Sequence, residues 1–179
     1  MASGQIGVVV AFSSRCGATE ALAHAAAVGA VQGRALIRLR RLPDDGAPSR
    51  AQDSPECQQA LARMRKEYVP PTEADITGND ALILAPPAGS TTDSTEWAEF
   101  VSLLTRLGSA GKLSGIVGAV IDTGSEETRR SFSALMASAG FRSVVQDGLE
   151  PEAPDTLRAR ATTCGRRVAG SASLRQHDA

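Results

Sequence analysis

Apolar residues occur in short uninterrupted runs separated by polar, glycine-bearing stretches, and this spacing predicts alternating strands and helices. Ile6–Phe12 reads Ile-Gly-Val-Val-Val-Ala-Phe, the pattern of a strand buried on both faces of a parallel sheet. From Thr19 the chain is alanine-rich, with Leu22, Ala26 and Ala30 at helical spacing until Gly33, so a helix follows the strand almost at once. Ala35–Leu42 sets Leu36, Arg38 and Arg40 against Ile37, Leu39 and Arg41, as in a strand at or near a sheet edge, where charge discourages outside pairing. Ile76–Asp80 leads into a third strand, Ala81–Ala85. Pro86-Pro87 stops it, because proline has no ladder donor. A helix with Trp97, Phe100, Val101 and Leu104 on one face follows, capped by Asp93 or Ser94 and ended by Gly108–Gly111. Ile116–Ile121 is a fourth strand, and Glu126–Ala139 is a helix with acidic residues in its first turn, where they complement the peptide dipole. Ser143–Val145 forms a weak fifth strand, and a last helix opens at Pro154-Asp155 and runs to about Ser171.

Strand followed by helix, about five times over, implies a parallel sheet with helices on both faces, since parallel neighbours need crossover connections. The expected architecture is a doubly wound α/β fold in one domain over residues 1–179, with an ordered core from about 5 to 171. Residues 43–71, rich in Pro, Asp, Ser, Gln and Arg, are expected to form a surface excursion with a short helix around Pro55–Tyr68, and residues 172–179 a mobile tail. Such sheets bind ligands beyond the carboxyl ends of their strands, where the winding reverses. Three loops meet there: Ser13–Thr19, Pro86–Asp93 and Asp122–Glu127.

Composition narrows the function. With 179 residues, 42% of them apolar, the chain has the size of one domain with a sizeable core. A formal charge of -1 gives no attraction to a phosphate backbone or an anionic bilayer, which argues against nucleic-acid binding. Met1–Gly4 brings no basic cluster and Ile6–Phe12 is too short for a signal core or a membrane span, so a cytoplasmic protein is expected. Cys16, Cys57 and Cys164 are odd in number and lack metal-type spacing, and His24 and His177 are too few to complete a site with them. Neither a disulfide framework nor zinc is expected. The six aromatics, Phe12, Tyr68, Trp97, Phe100, Phe132 and Phe141, leave few groups to stack on a ligand.

The first loop, Ser13-Ser14-Arg15-Cys16-Gly17-Ala18-Thr19, places hydroxyls and consecutive N–H groups at a helix N-terminus, where orphan donors and the dipole favour a phosphate. Simple helix capping by Thr19 or Ser14 is the competing reading. The loop lacks both the Walker ending and the spaced glycines of the dinucleotide fingerprint. Cys16 beside Arg15 sits where a thiolate is favoured, yet Leu22 stands where a phosphatase cradle needs arginine. Pro86–Asp93 can line a flat ring or be an ordinary loop. The Thr123-Gly124 pair can bond a ring edge or merely form a turn and cap. His24 carries no role, and Trp97 is a core residue that starts close enough to the cleft to shield one side of a ligand.

These loops and their order resemble the flavodoxin-like proteins, most closely the WrbA-type NAD(P)H:quinone oxidoreductases, from Ile6 to about Ser171. The likeness is carried by Val8–Glu20 with its Ser14-x-x-Gly17-x-Thr19 loop, Leu36–Pro43, Asp80–Pro87, Gly111-Lys112-Leu113, Asp122–Ser125, and the closing helix with Ala159-Arg160 and Arg167-Val168-Ala169. It implies a five-stranded parallel sheet of order 2-1-3-4-5 and one FMN per subunit. The FMN phosphate would lie on Ser14, Arg15, Cys16, Gly17, Ala18 and Thr19, its ring beside Pro87, Ala88, Gly89 and Ser90, and its edge toward Thr123, Gly124 and Ser125. The resemblance further implies hydride transfer from NAD(P)H, a quinone or similar acceptor, no catalytic side chain, and a homodimer or homotetramer; the cofactor carries the redox chemistry. Gly89-Ser90-Thr91 stands where the family has an Arg-Phe-Gly type segment. The alternative reading is therefore a flavodoxin-fold protein without tight FMN binding that serves as an interaction or assembly module. An electron-carrier flavodoxin ranks third, because acidity and a ring-sandwiching aromatic pair are both missing.

Overall fold

A computed structural model of the chain describes residues 5–43, 54–121, 123–144 and 156–177. The expected helix opening at Pro154-Asp155, the strand end Val145 and residues 44–53 of the excursion lie outside them. Five strands, β1 (Gly7–Phe12), β2 (Leu36–Arg41), β3 (Ala81–Ala85), β4 (Val117–Val120) and β5 (Arg142–Ser143), form one sheet. All neighbours are parallel, in the order β2-β1-β3-β4-β5. This is the flavodoxin-like α/β topology expected from the loops. β1 is buried along its whole length, which explains its unbroken apolar run.

Alternate residues of the central strands feed two cores. Val8, Val10 and Phe12 of β1 and Ile83 of β3 face one side with α1 (Ala18–Gln32) and α6 (Leu157–His177). Val9 and Ala11, with Leu82 and Leu84, face the other side with α4 (Thr95–Ser109) and α5 (Glu126–Ser138). There Trp97 sets its ring edge-on against Phe132 at 4.6 Å and Phe100 at 6.1 Å. Trp97 is completely buried; it is committed to this core, which removes it as a shield for a ligand.

The α1–α6 contact is backbone on backbone. A Cβ on Gly29 would sit 1.9 Å from the Thr162 carbonyl oxygen, and one on Gly165 would sit 1.9 Å from that of Ala26. Alanines fill the rest of the seam: Ala23, Ala26 and Ala30 on α1, and Ala161, Ala169 and Ala172 on α6 are all fully buried. α6 continues through residues 172–177, which the sequence pattern assigns to a tail.

The helix expected around Pro55–Tyr68 is present and is seated on the core. α2 (Pro55–Glu67) is capped by Ser54, whose hydroxyl accepts from the Cys57 N–H at 3.3 Å. Its Met64 is fully buried in the α1-side core, together with half-buried Ile37 and Leu39 of β2. The other face of β2 meets α3 (Glu73–Thr77), a short helix with a Thr72/Asp75 capping box where no helix is expected. Asp75 accepts from Arg40 Nε at 2.9 Å and from Arg40 Nη2 at 2.8 Å. These bonds outweigh burial and hold its carboxyl well below the ordinary range. The edge-strand charges thus have a partner.

Because the seam has no room for a methyl group, Gly29→Ala and Gly165→Ala are each expected to destabilise the fold by about 3 kcal/mol. Gly170, also on α6, has nothing within 4 Å of an added Cβ, so Gly170→Ala should stabilise by about 0.5–1 kcal/mol. Urea unfolding midpoints check both, and a wild-type midpoint for Gly29→Ala would contradict the close crossing.

Candidate functional site

β1 ends against the sheet's carboxyl edge, and Ser13 begins the turn by donating its N–H to the Ala85 carbonyl at 3.4 Å. Ser14 is 3% exposed. Its hydroxyl accepts from the Gly17 N–H at 3.1 Å. Gly17 then takes φ +93° as the residue before α1, a left-handed conformation that a side chain would strain. Among the described residues, no side chain caps α1. Its first-turn N–H groups therefore remain at the helix end, together with the positive end of the dipole. The competing reading of the loop, a helix capped by Thr19 or Ser14, does not describe this terminus.

This helix end opens into a cleft of about 640 Å³, within the range of small-molecule sites. One wall is the first loop: Ser13, Ser14, Arg15, Cys16, Ala18 and Thr19. The facing wall is Pro87, Ala88, Gly89 and Ser90, and the start of α4 adds Ser94, Thr95 and the carboxylate residue Glu96. Ser90 closes a turn by donating its N–H to the Pro87 carbonyl at 3.0 Å. Gly89, at φ +86°, has open space where a side chain would be, so this wall stays low. Its N–H donates to Thr128 Oγ1 of α5 at 2.9 Å, and the Thr92 N–H donates to Ser131 Oγ at 3.3 Å. α5 therefore holds the second loop in place.

The first two loops come together as expected; the third is placed differently. Thr123, Gly124 and Ser125 are not among the residues that line the cleft. Ser125 caps α5 by accepting from the Thr128 N–H at 3.3 Å. Thr123 is buried with an Oγ1 that makes no hydrogen bond. Buried hydroxyls are normally paired, so this one stands out as a group able to take a polar partner. Asp122 lies outside the described residues.

Two features of the site are absent from the sequence reading. The first is Arg41, 6% exposed, which lines the cleft and donates from Nη2 to the Ser14 carbonyl at 3.1 Å. The register pairs Arg41 with Phe12, the last residue of β1. Its signal was the run of arginines ending the strand beside the central one, at the sheet edge where ligands bind. The second is a disulfide joining Cys16 of the loop to Cys57 of α2. This corrects the expectation that no disulfide framework is present: the fold brings together two cysteines 41 positions apart. An odd cysteine count does not exclude one pair; Cys164 is the cysteine left over.

A polar clamp fastens α2 to α1 beside the disulfide. Glu20 accepts from Arg63 Nη1 at 2.9 Å and Nη2 at 2.6 Å, and from the Tyr68 hydroxyl at 2.7 Å. His24 Nε2 and the Tyr68 hydroxyl are also hydrogen-bonded at 2.7 Å, and Tyr68 lies edge-on to Phe12 at 5.0 Å. Burial alone would raise the Glu20 carboxyl, but the bonds from Arg63 and Tyr68 and the charges of Arg63 and His24 hold it below its ordinary value. Burial and the neighbouring Glu20 push the Tyr68 phenol up to about 12. His24 thus has a structural role.

No protein-family model matches the sequence, and no curated protein does. Solved structures match over nearly the whole chain. A flavodoxin, WrbA-like protein from Agrobacterium tumefaciens superposes with a TM-score of 0.62 at 19% identity, covering 97% of this chain and 99% of that one. A short-chain flavodoxin associated with a non-canonical PDU bacterial microcompartment gives 0.61 at 16% identity, over 94% and 99%. The two-electron reduced flavodoxin of Megasphaera elsdenii gives 0.59 at 18% identity, over 91% and 98%. At these identities the likeness establishes the fold.

A carboxyl depressed in the folded state stabilises the protein above its ordinary value of 4.5, and that contribution fades as pH falls from there toward the folded-state value. Glu20→Gln is expected to cost about 1–2 kcal/mol at pH 7, discounted because Arg63 is half-exposed. The cost should shrink below pH ~4. Urea unfolding from pH 3 to 7 checks this, and a pH-independent difference would contradict the ionic clamp.

Proposed function

We propose that the chain is a flavin-binding protein that takes FMN by its phosphate and serves as an oxidoreductase of NAD(P)H:quinone reductase type. The observation that carries the reading is the uncapped α1 terminus, open to a cleft that Ser14, Thr19 and Arg41 also line. A helix N-terminus without a cap is suited to a phosphate. The flavodoxins and the WrbA-like protein that share the fold support flavin as the phosphate's carrier.

The fit differs between the two ends of the cleft. At the phosphate end, the first-turn amides of α1, Ser14, Thr19 and the positive charges of Arg15 and Arg41 are the groups that would hold a dianion. At the ring end, Pro87–Ser90 offers a low wall of small side chains. Bound there, FMN supplies two-electron hydride chemistry between a nicotinamide and a quinone. The chain's part is to bind and orient. The first loop neutralises the phosphate, α5 holds the ring-side wall through Thr128 and Ser131, and the low wall leaves room for donor and acceptor. Glu96 is the carboxylate bordering the cleft, and it disfavours further anionic groups near α4.

One observation favours a second reading, an interaction or assembly module of the same fold without tight FMN. Among the described residues, no aromatic lines the cleft. Stacking of Trp97 would require pulling it from the core.

The flavin reading predicts protein that binds FMN on reconstitution, gains a flavin absorbance band, and bleaches with NADH or NADPH. Thr19→Val should weaken FMN by about 1.5–3 kcal/mol, the value of one hydrogen bond to a charged group. Titration of FMN fluorescence quenching checks this. An unchanged Kd removes Thr19 from the site, and the absence of FMN binding by the wild type leaves the second reading.

A further inference from the structure

The three cysteines differ in their surroundings. Cys164 is half-buried on α6 against the α1-side core, and burial pushes its thiol up to about 12, which favours the unreactive thiol form. Cys16 is exposed in the loop that lines the cleft, immediately before Gly17. Cys57 is half-buried in the first turn of α2. Both bonded sulfurs thus lie at helix N-terminal ends, and Cys16 adjoins Arg15, surroundings that favour thiolates as attacking and leaving groups in disulfide exchange.

The disulfide holds a limited part of the molecule. The far half of α2 is seated independently by fully buried Met64, by Arg63 on Glu20, and by Tyr68 between Glu20 and Phe12. Residues 54–60, by contrast, are exposed or half-buried. Breaking the bond therefore leaves α2 attached and separates its first turn from Cys16, the exposed residue of a loop otherwise held through Ser14 by Gly17 and Arg41.

We propose that Cys16–Cys57 is a reversible thiol–disulfide site whose state sets the anion affinity of the cleft: the oxidised form binds a phosphate group, and the reduced form releases it. The proposal rests on the phosphate half of the flavin reading. Two effects act in the same direction. Oxidation pins the loop, which lowers the ordering cost of binding. Reduction returns a sulfur that, as thiolate, occupies the positive end of α1 and repels a dianion. In the exchange, a thiolate of a dithiol reductant attacks one sulfur, breaking the protein S–S bond and forming a mixed disulfide. The reductant's second thiol resolves it. The protein gains two electrons and two protons as two thiols, and the reductant leaves as its own disulfide; a small-molecule disulfide reverses the step.

The test compares FMN and inorganic phosphate binding, by calorimetry, to the air-oxidised protein, the dithiothreitol-reduced protein and Cys57→Ser, with maleimide labelling and mass spectrometry counting accessible thiols. The expected result is two thiols appearing together on reduction, affinity for both ligands falling about fivefold or more, recovery on reoxidation, and a Cys57→Ser protein that binds weakly whatever the reductant. Should Cys57→Ser fail to fold, the reduced wild type carries the test, with its circular dichroism confirming the fold. Equal affinities in both states overturn the proposal, and FMN binding there leaves the flavin reading standing. Phosphate affinity that falls on reduction while FMN binds neither state upholds the switch and removes the flavin. Free Cys16 and Cys57 thiols in the air-oxidised protein, or no binding of either ligand, overturn it.

Discussion

The first turn of α1 governs this molecule. Its N–H groups are left uncapped at the carboxyl edge of the central strand, and the neighbouring structure fixes where they stand. Behind the helix, Gly29 and Gly165 let the α1 and α6 backbones touch, so α1 cannot roll without separating from α6. Ahead of it, the Ser14 hydroxyl accepts from Gly17 and the Ser14 carbonyl accepts from Arg41. A helix end held this firmly presents its donors in one arrangement, which reduces the cost of receiving an anion.

α2 braces the same turn from the side. It reaches the loop through Cys57 and reaches α1 through Arg63 and Tyr68 on Glu20. The residues between β2 and β3 are therefore part of the site's scaffold. The Pro87–Ser90 wall is supported separately, by α5 hydroxyls on the backbone of Gly89 and Thr92. The two walls of the cleft therefore have different supports.

Most of the architecture was legible in the residue pattern. Unbroken apolar runs such as Ile6–Phe12 and Ala81–Ala85 occur only where both faces of a strand are covered, and the glycine turn before Thr19 marked the helix end. The missing parts are those that depend on distant residues meeting. Cys16 and Cys57 are unremarkable by spacing, and only the return of α2 over α1 joins them. Glu20, Arg63 and Tyr68 are ordinary helix and loop residues until they face one another. α3 is short, and its Thr72/Asp75 box gains its significance from Arg40 on the neighbouring strand. Trp97 was legible as a core residue from its helical spacing, and its burial against Phe132 and Phe100 settles that reading over shielding of the cleft. In the third loop, Ser125 serves as the α5 cap that its residue type equally allowed.

The central claim is that the end of α1 grips a phosphate, so the decisive measurement compares FMN with riboflavin, which differ by that group alone. Calorimetric titration of the oxidised protein should give an affinity for FMN about a hundredfold or more above that for riboflavin, as two charge-assisted hydrogen bonds imply. Equal affinities would mean that the amides of α1 hold nothing, and would contradict the account.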